Sequence, residues 1–431
     1  MSPVPIIGLL ILLLLLAFGI PLAFSMFLVG FFGLVIINGF YPTLALVGST
    51  MYHSVFSFLY IVIPMFILMG EFANESGIVA DLYDFFKAWV GKLSGALAIV
   101  TILTATMFSF ATGSSIATTA VVGKLSLPEM RKSGYDTKLT LGCVVAGGTL
   151  GNLIPPSISI VIFGMITNES IGDLLIGGIV PGLLTSSLFI LWIVLITHFK
   201  KELAPTTVIR YSTIEKIRNS KKVIPMLAVI SFLFGSIYLG IATVTEAATV
   251  GCFCTFVIGL WKRKLGKGKI YQAVSNTVMV TGMVFILFAT IQVFGRFLNF
   301  SGFTRSLMVI ATESGLHPWA IMVFIYVILT ILGCLVDPAS ILLLTVPICF
   351  PIIKKLGFDP IWFGIITVMW TQVGFLTPPV GMCVFVLKGI SGESLDTCFR
   401  SVVYPLICWC IAIALVSLFP SIITWLPNLM R

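Results

Sequence analysis

The sequence predicts an all-α polytopic membrane protein built from two inverted-topology repeats, each with five membrane crossings and one re-entrant hairpin. Three observations lead there. The 431-residue chain is 58% hydrophobic and only 10% charged, which excludes a soluble domain of this size. The segment Gly151-Asn152-Leu153-Ile154-Pro155-Pro156 returns 223 residues later as Gly374-Phe375-Leu376-Thr377-Pro378-Pro379. The same register holds upstream, where Pro128, Lys132, Gly134 and Asp136 fall on Pro351, Lys355, Gly357 and Asp359. A further match, two residues out of step, pairs Gly70-Glu71-Phe72-Ala73-Asn74-Glu75-Ser76-Gly77 with Gly295-Arg296-Phe297-Leu298-Asn299-Phe300-Ser301-Gly302.

The first repeat covers residues 1–198. Its apolar runs at about 3–17, 19–40, 47–72, 137–166 and 172–198 can each cross a bilayer, which takes ~20 residues. The first basic residue is Lys87, so the amino terminus has no positive signal-peptide region and Met1 to Leu16 reads as a retained helix. Residues 94–132 hold two apolar segments joined by Thr112-Gly113-Ser114-Ser115, read as a re-entrant hairpin. Such backbone is tolerated at depth only when protein surrounds it or it lines a cavity. A basic loop, 199–222, leads to the second repeat, 223–431, with runs at about 223–239, 242–261, 270–297, 360–388 and 398–426. Its hairpin is 317–353, with the joint Val336-Asp337-Pro338-Ala339-Ser340. Amphipathic segments at about 76–92 and 299–315 follow a Ser-Gly in each repeat and suit arms along the membrane surface.

Five crossings are an odd number, so the second copy is upside down. The charges agree. Seven of the 25 basic residues lie between Lys200 and Lys222 and five more between Lys262 and Lys269, as cytoplasmic loops two crossings apart. The +9 charge is therefore a topology signal, not a nucleic-acid surface. Lys87, Lys92, Arg131, Lys132 and Lys138 flank the first hairpin, which opens to the cytoplasm while the second opens outward. Lys354 and Lys355 then fall outside, a mild breach of the rule, and both termini are periplasmic. The nine cysteines are scattered, and Cys252/Cys254 and Cys408/Cys410 are spaced onto different helix faces. His53, His198 and His317 form no cluster, and no phosphate-binding Gly-rich lysine loop is present. Nothing here points to an enzyme.

Each Pro-Pro pair removes two helical donors. Pro155 and Pro156 free the carbonyls of Gly151 and Asn152; Pro378 and Pro379 free those of Gly374 and Phe375. A hydroxyl or a water would serve one isolated kink. Two copies of one break, each opposite a hairpin tip rich in Ser/Thr or Asp/Ser, suit two cages for a hard monovalent cation such as Na⁺. The half-helices that start after the prolines present free N–H groups to a carboxylate, with Ser114, Ser115, Ser157 and Ser159 as hydroxyl donors. Charges at depth are few: Asp337 at the second tip, Arg296 ending a long span, and Glu246 in Thr243-Val244-Thr245-Glu246-Ala247-Ala248, read as structural.

These motifs carry a family resemblance. Gly113-Ser114-Ser115-Ile116-Ala117, Leu127-Pro128-Glu129-Met130, Ala146-Gly147-Gly148-Thr149-Leu150-Gly151, Ile154-Pro155-Pro156-Ser157, Thr245-Glu246-Ala247-Ala248, Val336-Asp337-Pro338 and Leu376-Thr377-Pro378-Pro379-Val380-Gly381 span nearly the whole chain. In this order the sequence resembles the large membrane subunit of a tripartite ATP-independent periplasmic (TRAP) transporter. The resemblance implies a sodium-driven elevator-type symporter of the bacterial inner membrane. It also implies a small four-helix membrane subunit, here a separate polypeptide, and a periplasmic substrate-binding protein delivering organic acids such as C4-dicarboxylates or sialic acids. Carried over by residue, one sodium site uses Thr112, Ser114, Gly151, Ile154 and Pro156, and the other Gly333, Val336, Gly374, Thr377 and Pro379. Arg296 and Asp337 match charged positions near the substrate. Thr118 departs from the acidic residue that members often carry after the first tip. From the residues alone, a gated channel and a proton-translocating membrane subunit stay open.

Overall fold

The structure, a computed structural model, describes residues 3–91, 93, 95–205, 211–313, 315–334 and 336–429. Lys92, expected beside the first hairpin, residue 94, its expected start, residues 206–210 of the basic loop and the terminal residues 1–2 and 430–431 lie outside the described residues. Every described element is helical. Among the described residues seven helices are long and apolar enough to cross a membrane, the longest being Lys267–Phe300 with 34 residues. Pro3–Ala17 and Leu22–Asn38 have 15 and 17 residues. At 1.5 Å per residue they reach roughly 22–26 Å, a little under the hydrocarbon core.

Several boundaries differ from the hydropathy reading. The run at 47–72 is two helices, Phe40–Val55 and Val62–Glu75, joined through extended Ser57 and a short 3₁₀ turn. Gly39, at φ +82°, separates Phe40–Val55 from the preceding helix, and Pro42 occupies the first turn, where the N–H that proline lacks would have no acceptor within the helix. Apolarity does not fall at Phe56, so the joint is invisible to hydropathy. The basic loop is shorter than 199–222. A capping box, Ser212 with Glu215, starts the helix Thr213–Tyr238 ten residues before the apolar run. The run at 172–198 is Ile171–Gly177 and Ile179–Phe199, and that at 398–426 divides into Leu395–Ser401, Val403–Leu418 and Ser421–Asn428.

Two helical hairpins are present, Ala96–Thr112 with Ser115–Lys132 and Pro318–Gly333 with Pro338–Lys355. Two helices are interrupted at their Pro-Pro pairs. One is Thr137–Thr149, a 3₁₀ turn and Ile158–Thr167; the other is Pro360–Leu376 and Met382–Ser391. Packing exchanges partners between the halves. Ser115–Lys132 lies on Met382–Ser391, and Pro338–Lys355 lies on Ile158–Thr167. Likewise Val62–Glu75 packs on Val244–Trp261, and Lys267–Phe300 packs on Leu22–Asn38. Hairpins and broken helices thus form one group, which also holds Ile179–Phe199 and Val403–Leu418, while Leu22–Asn38, Val62–Glu75, Val244–Trp261 and Lys267–Phe300 pack as another.

The amphipathic helix Ile78–Val90 bridges them. It packs on both Ala96–Thr112 and Thr213–Tyr238. Asp81 pairs with Lys262, Asp84 with Lys222 at 3.5 Å, and Lys87 with Glu129 of the first hairpin. Trp89 donates to Ser220 at 3.2 Å and lies under Lys216. Both basic segments therefore gather at one end of the molecule.

Candidate functional site

Each hairpin turns at a residue that caps its own second arm. Ser114 Oγ accepts the Ala117 N–H at 3.3 Å, and Asp337 Oδ2 accepts the Ser340 N–H at 3.1 Å. Asp337 also takes the Ser340 hydroxyl. These bonds satisfy donors left free at a helix start. The two caps occupy equivalent positions of the duplicated sequence. So do Asp136 and Asp359, which cap the broken helices through Leu139 N–H at 2.9 Å and Trp362 N–H at 2.8 Å.

The tips meet the breaks. Gly113, at φ +60°, lies so near the Pro156 carbonyl that a side chain there would collide with it. A Cβ on Gly151 would come 2.5 Å from the Ser114 carbonyl oxygen and 2.7 Å from Thr118 Oγ1. Thr112 Oγ1 is 2.9 Å from Thr118 Oγ1. Thr112, Ser114, Gly151 and Pro156 thus converge. Ile154 donates its N–H to the Leu150 carbonyl at 2.9 Å and buries its side chain beside Gly182. In the other half Gly333 and Gly374 touch main chain to main chain. Both Pro155-Pro156 and Pro378-Pro379 peptides are cis.

Four carbonyls lose their helical donor at these prolines, and the structure finds protein donors for two. The Ser157 hydroxyl donates to the Asn152 carbonyl, and the Thr377 N–H donates to the Gly374 carbonyl at 3.1 Å. Gly151 and Phe375 have no such donor among the described residues. Each break therefore leaves one oxygen free, not two. Gly374 keeps its second lone pair. Ser157 also caps the second half-helix by accepting the Ile160 N–H at 3.2 Å, and Ser159 is buried just beyond it.

The halves differ in exposure. Pro156 is buried, whereas Pro379 is exposed. Gly70 abuts the Thr112 main chain, but a Cβ on its counterpart Gly295 would meet nothing within 4 Å. Val336, Asp337 and Ser340 line a cavity of about 900 Å³ together with Met382. Arg296 lines another, of about 280 Å³, with Gln292, Asn299 and Thr167. Arg296 and Asp337 therefore face separate cavities. Glu246 is exposed and closes a capping box with Thr243, a structural duty.

Hydropathy and repeat matching miss a buried polar bridge. Ser115 Oγ accepts the Asn152 N–H at 3.2 Å and lies 2.8 Å from Gln372 Oε1. Gln372 is 0% exposed. An amide inside the apolar run Ile361–Leu376 is the signal that marks it.

Residues 9–425 match the sequence profile of the family described as "Tripartite ATP-independent periplasmic transporter, DctM component". The chain belongs to this family. It is similar to the C4-dicarboxylate TRAP transporter large permease protein DctM of Pseudomonas aeruginosa, 34% identical over 85% of each chain. It is also similar to the sialic acid TRAP transporter large permease protein SiaM of Vibrio cholerae, 29% identical over 95% of each. In fold it resembles the Alcanivorax borkumensis YdaH transporter, at TM-score 0.66 and 14% identity, covering 89% of this chain and 90% of that one. As a TRAP large permease with several spanning helices it is a multi-pass membrane transport protein, not an enzyme.

Proposed function

We propose that this TRAP large permease carries an organic acid anion, a C4-dicarboxylate, a sialic acid or a similar carboxylate, into a bacterial cell across its inner membrane. Na⁺ held at the two helix breaks drives the uptake. The observation that carries this reading is the contact of a capped hairpin tip with a glycine-proline break, made twice. At the first break the converging donors are hydroxyls and carbonyls without a carboxylate, which suits a monovalent ion better than a divalent one. At the second, Asp337 adds a negative charge beside the larger cavity.

The packing favours an elevator. Hairpins and broken helices form one group that moves against the other, and the partner exchange between halves fits an inverted repeat. Gathering both basic segments at one end fits their cytoplasmic placement. Lys354, on the side read as periplasmic, is offset by Glu169 at 3.4 Å. Both termini then lie in the periplasm. A periplasmic substrate-binding protein delivers the cargo, a separate small four-helix membrane subunit completes the complex, and lipid surrounds it.

The energetics suit two ions. At ~100 mV one inward Na⁺ gains about 2.3 kcal/mol, and a tenfold gradient adds ~1.4. Two ions against one monovalent anion leave about 5 kcal/mol, enough for a gradient of a few thousandfold. One ion leaves roughly tenfold. Uptake by proteoliposomes holding both membrane subunits and the binding protein tests this. Saturable accumulation against a gradient that stops without Na⁺ supports it. Downhill flux indifferent to Na⁺ is the outcome of a channel, and dependence on a proton gradient that of a proton-coupled subunit; either overturns it.

A further inference from the structure

The buried bridge between Ser115 and Gln372 joins the two breaks. Ser115 follows the tip residue Ser114 and is 1% exposed. Its hydroxyl accepts the Asn152 N–H from inside the first break. Two acceptors compete for its single proton, the Thr149 carbonyl at 3.2 Å and Gln372 Oε1 at 2.8 Å. Thr149 is the last residue before the first break unwinds. Gln372 lies in the last turn before Gly374 and is steadied by donating to Thr371 Oγ1 at 3.0 Å. Gly374 in turn has no spare room against Gly333.

We propose that Gln372 is a positioning residue that couples the two cation sites, so that filling one break orders the other. When the Ser115 proton turns to Gln372, the Thr149 carbonyl is released toward the first break. The same turn fixes the last turn of Pro360–Leu376 and hence the Gly374 oxygen at the second. In a buried, low-dielectric setting such a choice is close to two-state. The ordering is done once and benefits both ions, which makes binding cooperative. No contact with either ion is needed from Gln372. This inference rests on the sodium reading above.

The test is a Na⁺ titration at constant ionic strength, with choline as replacement, on the purified membrane complex. Thermal stabilisation by Na⁺ and uptake rate are read together. The wild-type Hill coefficient approaches ~2. Gln372→Leu lowers it toward ~1 and raises half-saturating Na⁺ about tenfold. Ser115→Ala lowers the coefficient too and also strips the Asn152 N–H of its acceptor, and adding Gln372→Leu to it lowers the coefficient no further, since their shared bond is already gone. Should Gln372→Leu fail to fold, Ser115→Ala decides. Variants that keep the wild-type Hill coefficient, or a wild type with Na⁺ dependence but a coefficient near ~1, overturn the coupling. A wild type with no Na⁺ dependence in either readout overturns the sodium reading itself.

Discussion

Gly333 and Gly374 approach so closely that a Cβ on Gly374 would lie 2.5 Å from the Gly333 Cα, and one on Gly333 2.9 Å from the Gly374 Cα. Gly151 has the same relation to Ser114 across the first break. In both places the obstacle is main chain, which cannot rotate away. A side chain must therefore push hairpin tip and broken helix apart.

Gly151→Val and Gly374→Val are expected to abolish Na⁺-dependent uptake while the protein still inserts, at a stability cost of about 1–3 kcal/mol for overpacking. Gly282→Ala is the control. Nothing lies within 4 Å of its Cβ position, and alanine favours a helix. Proteoliposome uptake and gel filtration in detergent check all three. Normal uptake by both valine variants would contradict the close-contact account.

Thr112 tests the first site without disturbing backbone. Its hydroxyl faces Thr118 at the convergence of tip and break. Thr112→Ala is expected to raise half-saturating Na⁺ by about 10- to 100-fold, as loss of a polar partner to a charge costs roughly 1.5–3 kcal/mol. Thr112→Ser should restore most of it. A Na⁺ dependence of uptake unchanged in Thr112→Ala would remove this residue from the site.

Asp337 has two duties that substitutions separate. It caps Pro338–Lys355, and it places a carboxylate on the larger cavity. Asp337→Asn keeps the cap and drops the charge, so thermal stability stays within a few tenths of a kcal/mol while half-saturating Na⁺ rises at least ~10-fold. Asp337→Ala loses both and costs about 1 kcal/mol more. An asparagine variant that transports normally would leave the cap as the sole duty.

Much of this site is readable in the sequence because polar duties repeat in fixed register. Ser114 and Asp337 cap the tips, and Asp136 and Asp359 cap the broken helices, at matched positions. Gly151 and Gly374 repeat because the main chain facing each leaves room for nothing else. What escapes is whatever breaks the symmetry. Thr149 stands where Gln372 does, so the Ser115 bridge exists in one direction only. Gly70 is packed where Gly295 is open, a difference of conformation that no residue pattern records. The joint at Ser57 and the start at Ser212 escape hydropathy for opposite reasons, one hidden in an apolar run and the other lying before one.

The elevator reading makes a cross-linking prediction. Lys87 on the bridging helix pairs with Glu129 on the first hairpin, whereas Asp81 on that helix pairs with Lys262 of the other group. Cysteines at 87 and 129 joined by a short bismaleimide are expected to stop uptake, because the hairpin can no longer move. Cysteines at 81 and 262 joined by the same reagent leave it near normal. Equal uptake in the two cross-linked proteins would argue against relative motion of the two groups.

The account depends on cations seated where the tips meet the breaks, and soaking with thallium, a heavy monovalent mimic of Na⁺, reaches that point most directly. Anomalous density from crystals of the complex is expected at two places, one bounded by Thr112, Ser114 and Gly151 and one by Gly333, Gly374 and Thr377. Peaks at both that fade as Na⁺ competes are the predicted result. Density at neither, with the Gly151 and Phe375 carbonyls hydrogen-bonded to water or protein instead, would contradict it.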